Sequence, residues 1–181
     1  MPYKPRTENL AALGKLIHAF QSLEFELSGL LGSLLDREDL KVGIIVSSQL
    51  SFSRLLDTLD AVFRYRCSDQ ELLEHFSDLL KRATQYEQER NVFIHSYYDQ
   101  WDFIGDNVQY RRIKRRTKRG KGYSPTVEDF DPAFLSDLAS KVQVTAWEVI
   151  NFATELKWKE VIHRTWAETD FVASIGAGED H

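Results

Sequence analysis

Residues 68–98 read SDQELLEHFSDLLKRATQYEQERNVFIHSYY, and the fold class turns on this stretch. Leu72, Phe76, Leu79, Ala83, Tyr86, Arg90, Phe93 and Tyr97 recur at alternating steps of four and three. Those steps follow one face of an α-helix rather than a strand. At its start Ser68 and Glu71 stand at capping-box spacing, in which the serine hydroxyl accepts from an exposed amide and the glutamate reaches back. The stretch predicts a long helix. One member of its apolar line is a cation, Arg90, and a long cation in such a place calls for a buried anionic partner or for a role at an interface that is not simply greasy.

Working outward, residues 7–35 repeat the helical period through Leu10, Leu13, Ile17, Phe20, Leu23, Leu27, Leu30, Leu31 and Leu34. A second helix is predicted over about 42–65, with Ile45, Leu50, Leu55, Leu56, Leu59, Val62 and Phe63 as its buried stripe. After Asp99 the texture changes. Trp101, Phe103, Val108, Tyr110 and Ile113 are spaced among polar residues, and Gly105-Asp106-Asn107 is a turn signal, so 101–128 reads as an inserted β-hairpin or loop. Asp131-Pro132 then opens a last helix to about Val161, with Phe134, Leu135, Leu138, Val142, Ala146, Ile150, Ala153 and Leu156 on its stripe. The expectation is an all-α fold: an antiparallel bundle of about four long helices carrying a basic insertion. It forms one domain over 1–166, followed by a loose tail over 167–181.

With 43% hydrophobic and 28% charged residues among 181, the chain has the composition of a soluble globular protein that needs neither metal nor disulfide to hold it. No apolar run approaches the roughly 20 residues of a membrane span, and no signal core opens the chain, so a cytoplasmic protein is expected. The single cysteine, Cys67, cannot form an internal disulfide and reads as a helix-end structural residue. His18, His75, His163 and His181 lack metal-ligand spacing. Gly29 and Gly32 lie within a helical stripe and suggest close helix packing rather than a phosphate loop. The expected cofactors and metals are none.

The net charge of -5 hides an asymmetry. Arg111, Arg112, Lys114, Arg115, Arg116, Lys118, Arg119 and Lys121 place eight cations and no anion in eleven residues, and leave -13 on the remainder. Such a run is commonly a solvated loop, but its density favours contact with a phosphate backbone, with Tyr110 and Tyr123 as flanking stacking groups. The competing partner is an acidic protein surface.

The nine residues from Arg90 to Tyr98 hold a guanidinium, an amide, an imidazole and two phenols. On a straight helix Glu87, Asn91 and His95 share a face, and Tyr98 follows almost one turn later. Arg90 stands about 140° from His95 by helix geometry, but its fork can curl towards the same space. An imidazole can take the proton of a 2′-hydroxyl or give one to a leaving oxygen. A guanidinium can hold the phosphate bidentately as charge builds. Asn91 can orient either group, and Glu87, Tyr97 and Tyr98 are candidates for lining the site. The bland alternative pairs Arg90 with Glu87 or another buried anion and leaves His95 to satisfy a backbone carbonyl.

Arg90-Asn91-Val92-Phe93-Ile94-His95 resembles the Arg-x(4 to 6)-His motif of the HEPN superfamily, in which a polar residue, often asparagine, follows the arginine. The resemblance implies an all-α bundle whose motif helices meet across a homodimer to form a shared, metal-independent endoribonuclease cleft. It implies Arg90, Asn91 and His95 as the catalytic set and RNA as the substrate. His95-Ser96-Tyr97 extends the likeness to the Arg-x4-His-x-Tyr form of toxins paired with an antitoxin protein, in which the tyrosine is modified. Phage-defence proteins share the superfamily too. The alternative is a non-catalytic HEPN-like module that binds RNA or a partner.

Overall fold

The structure is a computed structural model that describes residues 7–35, 40–104, 107–118, 122–129 and 132–162. Helix dominates it. Five helices, α1 Thr7–Leu35, α2 Leu40–Ser47, α3 Phe52–Arg66, α4 Gln70–Ile94 and α5 Pro132–Trp158, are joined between α4 and α5 by strands β1 Tyr97–Ile104, β2 Asn107–Lys118 and β3 Gly122–Asp129. The stretch read as a hairpin or loop over 101–128 is thus longer at its start and three-stranded. The sheet has the order β1-β2-β3, both pairs antiparallel. The tail over 167–181, together with Gly105, Asp106, Arg119, Lys121 and Asp131, lies outside the described residues.

The single helix expected over 42–65 is two helices, and the serines between them explain the break. Ser47 Oγ donates to the Ile44 carbonyl and Ser48 Oγ to that of Ile45, at 3.0 and 2.9 Å. The Gln49 and Leu50 amides reach back only three residues, to Val46 and Ser47. Such local bonds end a helix rather than extend it. Ser51 then restarts the chain as N-cap of α3, its backbone extended and its side chain accepting from the Arg54 amide.

The start of α4 differs from the capping box expected at Ser68. Asp69 Oδ1 accepts from the Glu71 and Leu72 amides at 3.0 and 3.2 Å, so the cap is the residue after the serine, where a carboxylate meets the positive end of the helix dipole. Lys159 Nζ donates to the other Asp69 oxygen at 3.1 Å. The lysine bond, then the Leu72 amide, hold the Asp69 carboxyl below the usual carboxylate range. A depressed carboxylate stabilises the fold above its unfolded pKa and loses that contribution as pH falls through the folded one. Asp69→Asn should therefore lower the urea midpoint near neutral pH, with the deficit shrinking towards acid. A pH-independent deficit would show that the charge contributes nothing.

Cys67 is buried as the C-cap of α3, its amide bonded to the Phe63 carbonyl at 2.8 Å. The end of α5 is set by Glu160, whose φ of 58° is left-handed. The Val161 and Ile162 amides turn back onto the Leu156 carbonyl, a glycine-type C-cap occupied by a side chain. Glu160→Gly should raise stability by about 1 kcal/mol, seen as a Tm increase of roughly 2–4 °C.

The chain divides into two compact units, one comprising Met1–Phe20 and Gln85–Val142, the other Gln21–Thr84 and Gln143–His181. The core of the second is an aromatic cluster. Phe76 stacks on Phe152 at 5.5 Å, and Phe63 meets both at 4.4 and 5.6 Å. Leu23, Leu27, Leu30, Leu31 and Leu34 of α1 are buried in the same unit. There α1 and α2 run so close that a Cβ built on Gly43 would stand 2.0 Å from the Gly32 Cα. The first unit buries Ala12, Leu16, Ala19 and Phe20 with Leu135, Leu138, Ala139 and Val142. Phe20, Leu135, Leu138 and Val142 are buried as their stripes predict, but Leu10, Ile17 and Phe134 are exposed, at 54%, 40% and 45%. In the second unit Ile45 is exposed as well, while Val149 and Phe152 are buried.

Candidate functional site

Two arginines on α4 fare differently. Arg82 is surrounded by partners: Nε donates to Asp78 at 2.9 Å, Nη1 to the Thr145 hydroxyl at 3.3 Å, and Glu148 Oε2 stands 2.5 Å from Nη1. That last contact is an ion pair, and Glu148 Oε2 accepts no hydrogen bond of good geometry among the described residues. Burial lowers the Arg82 pKa, but Glu148 and Asp78 outweigh it and the net shift is upward.

Arg90 is half-buried, with its Cζ 4.2 Å from the centre of the Phe20 ring. That is a cation–π distance. Its Nε is buried and, among the described residues, has no hydrogen-bond partner, an exception among buried polar groups that calls for a physical reason. Among the described residues Arg90 forms no ion pair with Glu87, the partner that the bland reading named. Phe20 carried no mark in the sequence beyond its place on the α1 stripe. Its role depends on Arg90, seventy residues away, and no local pattern links the two.

The helix ends before the motif does. The last residue of α4 is Ile94, and His95 follows in a turn, exposed, with its amide still bonded to the Asn91 carbonyl at 3.2 Å. Ser96 closes the end: its amide donates to the Phe93 carbonyl at 3.3 Å and its hydroxyl to that of Val92. Asn91 and His95 therefore stand one turn apart, as the spacing required. Tyr97 and Tyr98 do not continue the helix but open β1, because the bonds around Ser96 turn the chain into extended structure. Glu87 and Asn91 are half-buried. No described side-chain bond joins Arg90, Asn91, Glu87 and His95 to one another. Arg90 lies against α1, while His95 is open to solvent.

Of the eight cations, Arg111, Arg112, Lys114, Arg115, Arg116 and Lys118 fall on β2, whose neighbour β1 begins two residues after His95. Among the described residues no group of three or more His, Cys, Asp or Glu is arranged to hold a metal ion, and no helix is long and apolar enough to cross a membrane. No family model matches the chain, and neither curated proteins nor solved structures include a match to it.

Proposed function

We propose that the chain is a HEPN-like helical bundle acting as a metal-independent endoribonuclease through a site composed from two copies. The observation that carries this reading is Arg90, a half-buried guanidinium held over an aromatic ring with an Nε that has no hydrogen-bond partner among the described residues. A phosphate is an anion that a fork of this kind binds well. His95 is exposed five residues on and free to reach a reacting oxygen. Within one chain no described side-chain bond joins the two, which favours completion by a second copy. Exposed Leu10, Ile17 and Phe134, in the same compact unit as the motif, are apolar groups suited to that contact.

In this mechanism Arg90 holds the scissile phosphate and His95 handles the protons, with the His95 of each copy available for one of the two transfers. The 2′-oxygen loses its proton to an imidazole and forms the new bond to phosphorus. The bond to the 5′-oxygen breaks, and that oxygen takes a proton from an imidazolium. The products are a 2′,3′-cyclic phosphate and a 5′-hydroxyl. Asn91 positions one of these groups, and the β2 cations hold the flanking strand. The purified protein should cut single-stranded RNA in EDTA and leave these termini; intact RNA would reject the nuclease.

A second reading is favoured by the lack of a described bond between Arg90 and His95: a module that holds RNA without cutting it. In that case binding persists, no cyclic phosphate forms, and an antitoxin-type or other protein partner remains to be sought by co-purification.

A further inference from the structure

The eight-cation run treats every positive charge alike, but the strand register does not. Alternate residues of a strand fall on opposite faces of its sheet, and directly paired residues share a face. Arg111 pairs with Asp99 on β1 and with Asp129 on β3. One basic position is thus paired in register with two acidic ones. Ile113 on the same face pairs with Tyr97 and Val127, Arg115 with Pro125, and Gln109 with Asp102.

The opposite face holds Arg112, Lys114, Arg116 and Lys118, paired with Glu128, Thr126, Ser124 and Gly122. Tyr98, the β1 partner of Arg112, and Tyr110 share it. Counting charges along the described strands, this face has four cations and one acid, a net +3. The other has two cations against Asp99, Asp102 and Asp129, a net -1. The charge that looks uniform in sequence is therefore segregated onto one side.

We propose that Arg112, Lys114, Arg116 and Lys118 form a phosphate-tracking ladder for one single strand of RNA, which it delivers to His95. The proposal rests on the RNA reading above and adds where and how the strand lies. Residues two apart on a strand are about 6.7 Å apart, close to the repeat of an extended sugar–phosphate chain, so each cation meets a successive phosphate. Tyr98 and Tyr110 supply base-stacking rings at one end. That end is the one next to the site, because Tyr98 is three residues from His95 in the chain. An RNA on the ladder runs from Lys118 towards Arg112 and arrives at the end of α4.

The test compares two double variants that remove equal charge, Lys114→Gln with Arg116→Gln against Arg111→Gln with Arg115→Gln. Binding of a fluorescent oligouridylate is followed by anisotropy across a salt series, with thermal melts confirming that both variants fold. Each phosphate contact on a single strand contributes about 0.7 to the slope of log affinity against log salt. The ladder pair should reduce the slope by about 1.4, and the other pair by less than half as much. Equal reductions would overturn the ladder and leave RNA binding standing. No binding by the wild type at low salt would overturn the RNA reading and the ladder with it. Competition by polyglutamate as effective as oligouridylate at equal charge would assign the face to an acidic polypeptide instead.

Discussion

Replacing His95 by alanine is expected to slow RNA cleavage by about 10²–10⁴-fold, the usual contribution of a positioned general acid or base. RNA affinity and melting temperature should stay near the wild-type values. The separation is possible because of where His95 stands. Its side chain is exposed beyond the last turn of α4, and the only described bond it makes is through its amide, to the Asn91 carbonyl. Alanine keeps that amide. Cleavage is read from cyclic-phosphate termini on a labelled single-stranded RNA in EDTA. Equal cutting by the variant would remove His95 from the chemistry. Arg90→Lys is the companion change: the charge remains, but the fork that can hold two phosphate oxygens is lost.

The second large effect concerns folding. Gly43→Ala should destabilise the protein by about 3 kcal/mol or more, at the upper end of what overpacking costs. At roughly 2–4 °C per kcal/mol for a chain of this size, the Tm should fall by about 10 °C. The added Cβ would stand 2.0 Å from the Gly32 Cα and 3.0 Å from its nitrogen. Backbone atoms of a neighbouring helix cannot rotate aside as a side chain would, so α1 and α2 must separate. Helix propensity alone favours alanine by roughly 1 kcal/mol, and the expected loss is net of that gain. Gly14 supplies the control. It lies in the interior of α1, exposed, with nothing within 4 Å of the position a Cβ would take, so Gly14→Ala should raise stability by roughly 0.5–1 kcal/mol. If both variants melt alike, the close approach of Gly32 and Gly43 does not carry the predicted cost.

The sequence made the long helices legible wherever the period ran unbroken, and α1 spans the residues that its stripe marked. Phase was harder to read. At the start of α1, Ala12 and Ala19 are buried while Leu10 and Ile17 are exposed, and a hydrophobic period ranks leucine above alanine whichever face packs. The break at 48–51 was hidden because Leu50 keeps the stripe going, and only the hydrogen bonds of the surrounding serines reveal the stop. The end of α4 was hidden for a related reason: Tyr97 fits both the helical line and the first position of a strand. In the candidate site, residue types singled out Arg90 and His95, and the structure adds that one is half-buried and the other exposed. The stacking of Arg90 on Phe20, and the sorting of β2 charges by register, depend on pairings between distant segments that composition cannot display.

The junction at Ser96 joins two periodicities. Up to Ile94 the chain advances 3.6 residues per turn, and from Tyr97 it alternates every two as far as Gln100, where the register with β2 shifts before Asp102. The number of residues between His95 and Tyr98 therefore acts as a reading frame. One residue more or fewer there would exchange the faces of β1 as far as that shift, placing Tyr98 on the face assigned by register to Arg111 and Asp99. Chain length at this joint is under a constraint of parity, so change there should come by substitution or in pairs of residues.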